Sequence, residues 1–231
     1  VTERETVYGR NPVRELLRAG RRPVHEVWCL PQLRGGPWPT GVVLRERTRA
    51  ELGRACGSSD HQGVVAFTEP YPYAGVRDVL ERPGPVACLD GAQDPRNLGA
   101  ICRVCDAVGA AGVVIGQRGS PGVTATVCKA SAGAVEHLLL ARVSSIGGFL
   151  GEARDAGRLT VGADPEGASD YRAAPWPSDA VVVLGSEGAG LRPRVRAACE
   201  RLVTIPMSGS VDSLNISVAA ALLLFETTRG G

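Results

Sequence analysis

"LDGAQDPRNLGAICRVCDAVGAAGVVI", residues 89–115, runs from the end of one apolar segment to the end of the next. Its middle has helical spacing. Leu98, Ile101, Cys102, Cys105 and Val108 fall at i, i+3, i+4, i+7 and i+10, one apolar face of a helix that Asn97 is positioned to cap. The β-branched run before it (86–89) and the one after it (112–115) make a strand–helix–strand unit. The same alternation continues through runs at 137–143, 159–163, 180–184 and 201–205. Uniformly apolar strands separated by helices predict an α/β fold with a mostly parallel sheet covered on both faces. Ligands of such sheets gather at the C-terminal strand ends, so the loops after Leu89, Leu184 and Ile205 are the candidate binding loops.

The stretch also contains Cys102-Arg-Val-Cys105. Both thiols lie on the apolar face, where cysteine acts as a small hydrophobe, and the other cysteines are scattered singly, so core packing is favoured over a zinc site or a redox dithiol. On the opposite face Arg103 has Gly99 a turn before it and Asp106 a turn after. Two readings stand: a helix mouth that binds an anionic or polar ligand, or a plain cap followed by a solvated arginine paired with Asp106.

Upstream the pattern differs. Asn11 is placed to cap a helix that carries Pro12 in its first position and Val13, Leu16 and Leu17 on one side. "HEVWCL" (25–30), "GVVL" (41–44) and "GVVAF" (63–67) read as strands, with "RERTRAELGRA" (45–55) helical and "PQLRGGPWPTG" (31–41) a loop. "TEPYPYAGVRDVLERPGP" (68–85) carries four prolines and marks a boundary. The expected organisation is an N-terminal α/β unit over 1–68, a linker over 69–85 and a larger α/β domain over 86–231.

Composition bounds the function. The 231 residues are 44% hydrophobic and 22% charged with net charge +2, an ordinary globular balance. Residues 1–68 hold eleven arginines and no lysine against seven acids, so the basic excess sits in the first unit and leaves an RNA-facing surface open there. No apolar run approaches the ~20 residues of a membrane span. "VTERETVYGRNP" has no apolar leader, and the seven cysteines are expected as reduced thiols in a cytoplasm. Walker-type phosphate loops, G-x-S-x-G elbows and H-E-x-x-H patterns are absent, and His25, His61 and His137 are expected as surface or packing residues near strand edges.

Two more polar clusters follow apolar strands. In "VVVLGSEGAGL" (181–191), Gly185, Gly188 and Gly190 free the backbone for close approach, and Glu187 is either a turn residue or a ligand contact. The glycine order is not that of a dinucleotide fingerprint. In "IPMSGSVDSLNISVAAALLLFE" (205–226), an almost wholly apolar helix is expected to begin near Asp212, with Ser213 and Asn215 in its first turn. That helix is either central to the domain or part of an oligomer contact.

The segments "LDGAQDPRNLGAICR", "VVLGSEGAGL" and "IPMSGSVDSLNISVAAALLLFE", in this order, resemble the three motifs of the SpoU (TrmH-like) family of the SPOUT methyltransferase superfamily. "VYGRNPVRELLRAG" (7–20) and "DHQGVVAF" (60–67) are similar to the RNA-binding unit of its ribosomal-RNA branch, so the resemblance spans nearly the whole chain. It implies a trefoil-knotted α/β catalytic domain, a ribosomal-protein-like α/β unit that docks RNA, a homodimer, and no metal or membrane. The implied donor is S-adenosylmethionine, and the implied reaction is methylation of a ribose 2′-hydroxyl in large-subunit (23S) ribosomal RNA, on a guanosine. Asn97, Arg103, Glu187, Ser213 and Asn215 fall on the family's catalytic positions, and Leu89, Gly185, Glu187, Gly188, Ile205, Met207, Ser213 and Leu214 on its cofactor-binding ones. For Arg103 the family role is proton acceptor; a permanently cationic guanidinium suits a phosphate clamp and electrostatic stabilisation as well. Alternatives are a drug-resistance ribosomal-RNA methyltransferase, a transfer-RNA enzyme, or a catalytically idle RNA-binding assembly factor.

Overall fold

A computed structural model describes residues 4–36, 38–39, 41–167, 169–210 and 213–229. The N-terminal unit is built from β1 (Glu5–Tyr8), α1 (Arg10–Ala19), β2 (Val24–Cys29), β3 (Leu44–Glu46), α2 (Arg49–Cys56) and β4 (Val64–Thr68). Its sheet runs β1-β4-β2-β3, with β4 antiparallel to both neighbours and β3 parallel to β2. α1 begins at Arg10 behind Gly9, not behind Asn11, because its first amide is capped from afar: Arg10 N donates to Gln62 Oε1 over 3.0 Å. α2 begins later than the 45–55 reading because Thr48 and Glu51 form a capping box that leaves 44–46 free to extend as β3. The strand at Glu5–Tyr8, with a single apolar position facing the core, was too short to stand out in the sequence.

The larger unit is preceded by α3 (Val76–Glu81) and alternates β5 (Val86–Asp90), α4 (Pro95–Ala107), β6 (Gly112–Gly116), α5 (Ala125–Ala130), β7 (Leu140–Val143), α6 (Ile146–Asp155), β8 (Thr160–Ala163), β9 (Ser169–Asp170), β10 (Val181–Gly185), α7 (Pro193–Ala198), β11 (Arg201–Thr204) and α8 (Ile216–Glu226). The sheet order is β7-β6-β5-β10-β8-β11-β9, and every pairing in it is parallel. Parallel strands need a covered sheet, and both faces are covered. One core joins β5, β6 and β10 to α4, α5 and α8 through Leu98, Ile101, Val127, Leu223 and Leu224. A second, on the other face, gathers Val79, Phe149, Leu150 and Val195. The strand expected over 137–143 begins late: Ala134–His137 is a single 3-10 turn, and β7 starts only at Leu140.

The first core does not stop at the domain boundary. It runs without a break from Val7, Val13 and Leu16 of the N-terminal unit into Val127, Val135 and Leu138. At this junction the buried Arg22 guanidinium donates to Glu136 Oε1 (2.6 Å), Glu5 Oε2 (2.8 Å) and the Glu69 carbonyl (3.2 Å). Burial alone would lower its pKa, but its acidic partners, Glu136 foremost with Glu5 and Cys128, together outweigh this and raise it. The 69–85 segment is not a free tether either. It carries α3, bridges Ala74 to Ala141, and is stitched down by Arg158, whose guanidinium donates to the carbonyls of Leu80, Arg82, Gly84 and Asp179.

Candidate active site

The C-terminal ends of β8, β10 and β11 border a cleft of about 870 Å³, within the ~300–1,000 Å³ range of small-molecule sites. Residues of three loops line it: 163–165, 184–190, and 203–210 with 213–216. Of the expected cofactor positions, Gly185, Glu187, Gly188, Ile205, Met207, Ser213 and Leu214 all line this one cleft. Leu89 does not; it is wholly buried within β5, one strand away.

The loop after β10 is shaped by its glycines. Ser186 and Gly190 exchange backbone hydrogen bonds of 3.0 and 2.9 Å, folding 186–190 back on the strand end. A Cβ on Gly185 would lie 2.1 Å from the Gly190 carbonyl carbon, so Gly185 is required by the chain's own turn rather than by a ligand. Gly188 has φ +79° and open space around it. The loop is anchored beneath by Asp90, buried at the end of β5, whose carboxylate accepts from Arg192 N (2.9 Å) and Arg192 Nε (2.7 Å).

Above this floor the three polar clusters meet. Asn97 Nδ2 donates to Glu187 Oε1 (2.8 Å), and Asn215 Nδ2 donates to Glu187 Oε1 (2.9 Å) and to Asn97 Oδ1 (3.0 Å). The other end of the Asn215 amide serves its own helix. Oδ1 accepts from Ser217 N (2.9 Å) and Ser217 Oγ (2.5 Å), which caps α8 and aims the amide nitrogen at the other two residues. The helix therefore begins after Asn215 rather than near Asp212, which lies outside the described residues, and Ser213 stands on the loop before the cap.

Asn97, unlike Asn215, is not a cap. Asp94 Oδ1 accepts from Arg96 N (2.7 Å) with Pro95 at the first position, so α4 starts ahead of Asn97 and leaves it free to bond across the site. Both cysteines of the C-x-x-C pair are wholly buried, and desolvation pushes the Cys102 thiol up well above its usual value and that of Cys105 up to about 12. Gly99 also faces inward: a Cβ there would sit 2.5 Å from Ala130 Cβ, so α4 and α5 pack closely at this position and it is not part of an exposed ridge. Arg103 is exposed, lies outside the cleft lining, and forms no ion pair with Asp106 or any other described residue.

Ser217 and the Asp90–Arg192 anchor were not singled out in the sequence. Ser217 follows Asn215 at N-x-S spacing inside an apolar run, which is a readable hint; Arg192 is linked to Asp90 only through the fold. The 163–165 loop was also missed, because its strand ends in the bland Val-Gly-Ala before Asp164-Pro165.

The SpoU rRNA methylase family model matches residues 85–225. The chain belongs to the SpoU family. A Bacillus subtilis (strain 168) protein described as a TrmH family tRNA/rRNA methyltransferase is 36% identical, over 98% of this chain and 96% of its own length. The SpoU methyltransferase AviRb from Streptomyces viridochromogenes, solved in complex with AdoMet, superposes with a TM-score of 0.83 at 26% identity, covering 97% of this chain and 89% of that one. An RNA 2′-O ribose methyltransferase structure aligns with a TM-score of 0.79 at 26% identity over 99% and 89% of the two chains. The parallel seven-stranded sheet is thus the catalytic sheet of a SpoU methyltransferase, and its donor is S-adenosylmethionine.

The cleft fits that donor. Leu184, Ile205, Leu214 and Ile216 offer apolar walls for a nucleoside, and the backbone of 185–188 and 204–210 offers polar edges, with no competing cation in the lining among the described residues. Asp164, which also faces the cleft, is neutralised by Arg196 Nε at 2.8 Å, leaving Glu187 at the rim as the carboxylate without an arginine partner among the described residues.

Proposed function

We propose that this SpoU methyltransferase methylates a ribose 2′-hydroxyl in large-subunit (23S) ribosomal RNA, on a guanosine, as a cytoplasmic homodimer. The observation that carries the reading is the Asn97–Glu187–Asn215 triangle at the mouth of the cleft, because it supplies both donors and acceptors where a ribose has to be held. Bound S-adenosylmethionine supplies an electrophilic methyl group on a sulfonium. The chain's own work is positioning. Ile205, Met207 and Leu214 with the Gly185–Gly188 backbone hold the nucleoside, Ser213 contacts the substrate from the loop, and the amide–carboxylate triangle orients the hydroxyl. The cationic Arg103 side chain, exposed on α4 outside the cleft, contacts the flanking phosphate, and the proton of the hydroxyl leaves to water. The 2′-hydroxyl as acceptor restricts the substrate to RNA.

The dimer reading rests on α8. Val218 is 47% and Phe225 51% exposed on a helix that is apolar all round, one face of which is uncovered in the single chain. The basic N-terminal unit serves as the RNA-docking element, held by Arg22 in fixed relation to the cleft. Mapping of ribose methylation in cells with and without the gene tests the assignment. One 2′-O-methylguanosine in 23S RNA disappears on deletion; an unchanged 23S map with a lost transfer-RNA methylation overturns it.

A further inference from the structure

The sheet's C-terminal edge extends beyond the cleft. The ends of β10, β5, β6 and β7 stop in register, through the pairs Gly185–Asp90, Leu89–Ile115 and Gly116–Val143. The rim residue Asn97 follows β5, so the ends of β6 and β7 lie one and two strands further along the same edge, ~5 and ~10 Å away at ordinary strand spacing. The segment 117–124, which follows β6, is held at both of its ends. Arg142 on β7 donates from Nη2 to the Gln117 carbonyl (3.1 Å), and the Tyr73 hydroxyl accepts from Val123 N (2.8 Å). Between these anchors Arg118 is exposed and unpaired among the described residues, next to Gly119 at φ +77°.

Tyr73 is more than an anchor. Its ring meets the Arg142 guanidinium at 5.4 Å and the Tyr71 ring edge-on at 5.3 Å, and yet it remains 38% exposed. A braced aromatic ring beside a fixed arginine and a free arginine is the composition of a single-strand RNA contact: stacking on the ring, a phosphate on the free cation. Tyr73 and Arg142 cost little ordering entropy on binding, since each is already held.

Resting on the methyltransferase reading above, we propose that Arg118 and Tyr73 form a ledge for the RNA strand that flanks the methylated nucleotide, with Arg142 as the residue that positions both. The strand then crosses from the cleft over the start of α4 to the β6–β7 edge. Its partner is single-stranded RNA, and no role in holding the methyl donor is assigned to it.

The test is the affinity of the full-length protein for 23S RNA transcribed in vitro, measured across a salt series. Arg118→Ala at an exposed loop position should weaken binding about three- to tenfold and flatten the log–log salt dependence by ~0.7, one single-strand phosphate contact. Tyr73→Ala should weaken it by at least ~fivefold, while Tyr73→Phe, which keeps the ring and loses the hydroxyl, should stay within about twofold of wild type. Arg77→Ala is the control, an arginine 88% exposed on α3 whose charge is already paired with Glu81, and it is expected to leave affinity unchanged. Wild-type affinity and salt slope in Arg118→Ala, or an equal loss in Arg77→Ala, overturn the ledge; Tyr73→Phe as weak as Tyr73→Ala overturns the stacking. S-adenosylmethionine-dependent thermal shift and methyl transfer by the wild type, read in parallel, fail only if the methyltransferase reading itself fails.

Discussion

Asn215 Nδ2 and Asn97 Oδ1 lie 3.0 Å apart across 118 residues of sequence, and the same nitrogen reaches Glu187. Asn215 thus joins a helix cap to the rim of the cleft, and substitutions can separate the two. Asn215→Ala removes both, so stability should fall by about 1 kcal/mol and methyl transfer by ~100-fold. Asn215→Asp keeps an acceptor for Ser217 N but sets a carboxylate against Glu187. It should retain more stability than the alanine variant and lose comparable activity. Thermal unfolding and transfer assays on the pair decide this; equal stability losses would show that the cap is not what Asn215 contributes.

The two glycines after β10 should respond differently. A methyl at Gly185 has no room, and Gly185→Ala should cost upwards of ~3 kcal/mol locally or abolish the thermal shift with S-adenosylmethionine. Gly188→Ala meets open space and suffers only from its positive φ, about 1–2 kcal/mol, and should still bind donor. Isothermal titration of both variants is the measurement.

The buried thiols set a pH expectation. Burial raises Cys102 and Cys105, so the neutral thiol is the dominant form through pH ~8 and little thiolate is present to attack a reagent. Native protein should leave both unmodified by iodoacetamide at that pH and expose them on unfolding, and activity should be indifferent to reductant. Peptide mapping after labelling checks it, and rapid labelling of either in the native state would reinstate a redox role.

The junction pair should be costly to break. Glu136→Gln leaves the Arg22 charge buried with its main carboxylate gone, and a loss of about 3 kcal/mol is expected in denaturant unfolding. Glu5 and the Glu69 carbonyl remain as partners, which keeps the figure at the lower end for a broken buried pair.

The uncovered side of α8 predicts oligomeric state. Val218→Glu and Phe225→Glu should convert a dimer to monomer in sedimentation velocity, because each places a charge on the apolar contact. A wild-type chain that sediments as a monomer at micromolar concentration would remove the dimer from the functional reading.

The larger domain was legible in the sequence because its signals are periodic: six of the seven strands of the parallel sheet announced themselves as apolar runs, and the helix through 97–108 by its stripe. The seventh, β9, has two residues, Ser169 and Asp170, and no pattern to read. Helix starts were misplaced wherever a cap came from outside the local segment, as Gln62 does for α1, or wherever the polar residue was engaged elsewhere, as Asn97 is with Glu187. The site residues were named from motif resemblance. Their mutual bonding, the inward turn of Gly99 and the position of Arg103 outside the cleft depend on tertiary packing that no local spacing encodes.

The triangle at the mouth also orders events during synthesis. Its third corner is contributed by the segment that leads into α8, so a nascent polypeptide can complete most of the sheet and still lack a working mouth. The mouth is therefore completed in one step, when that helix docks.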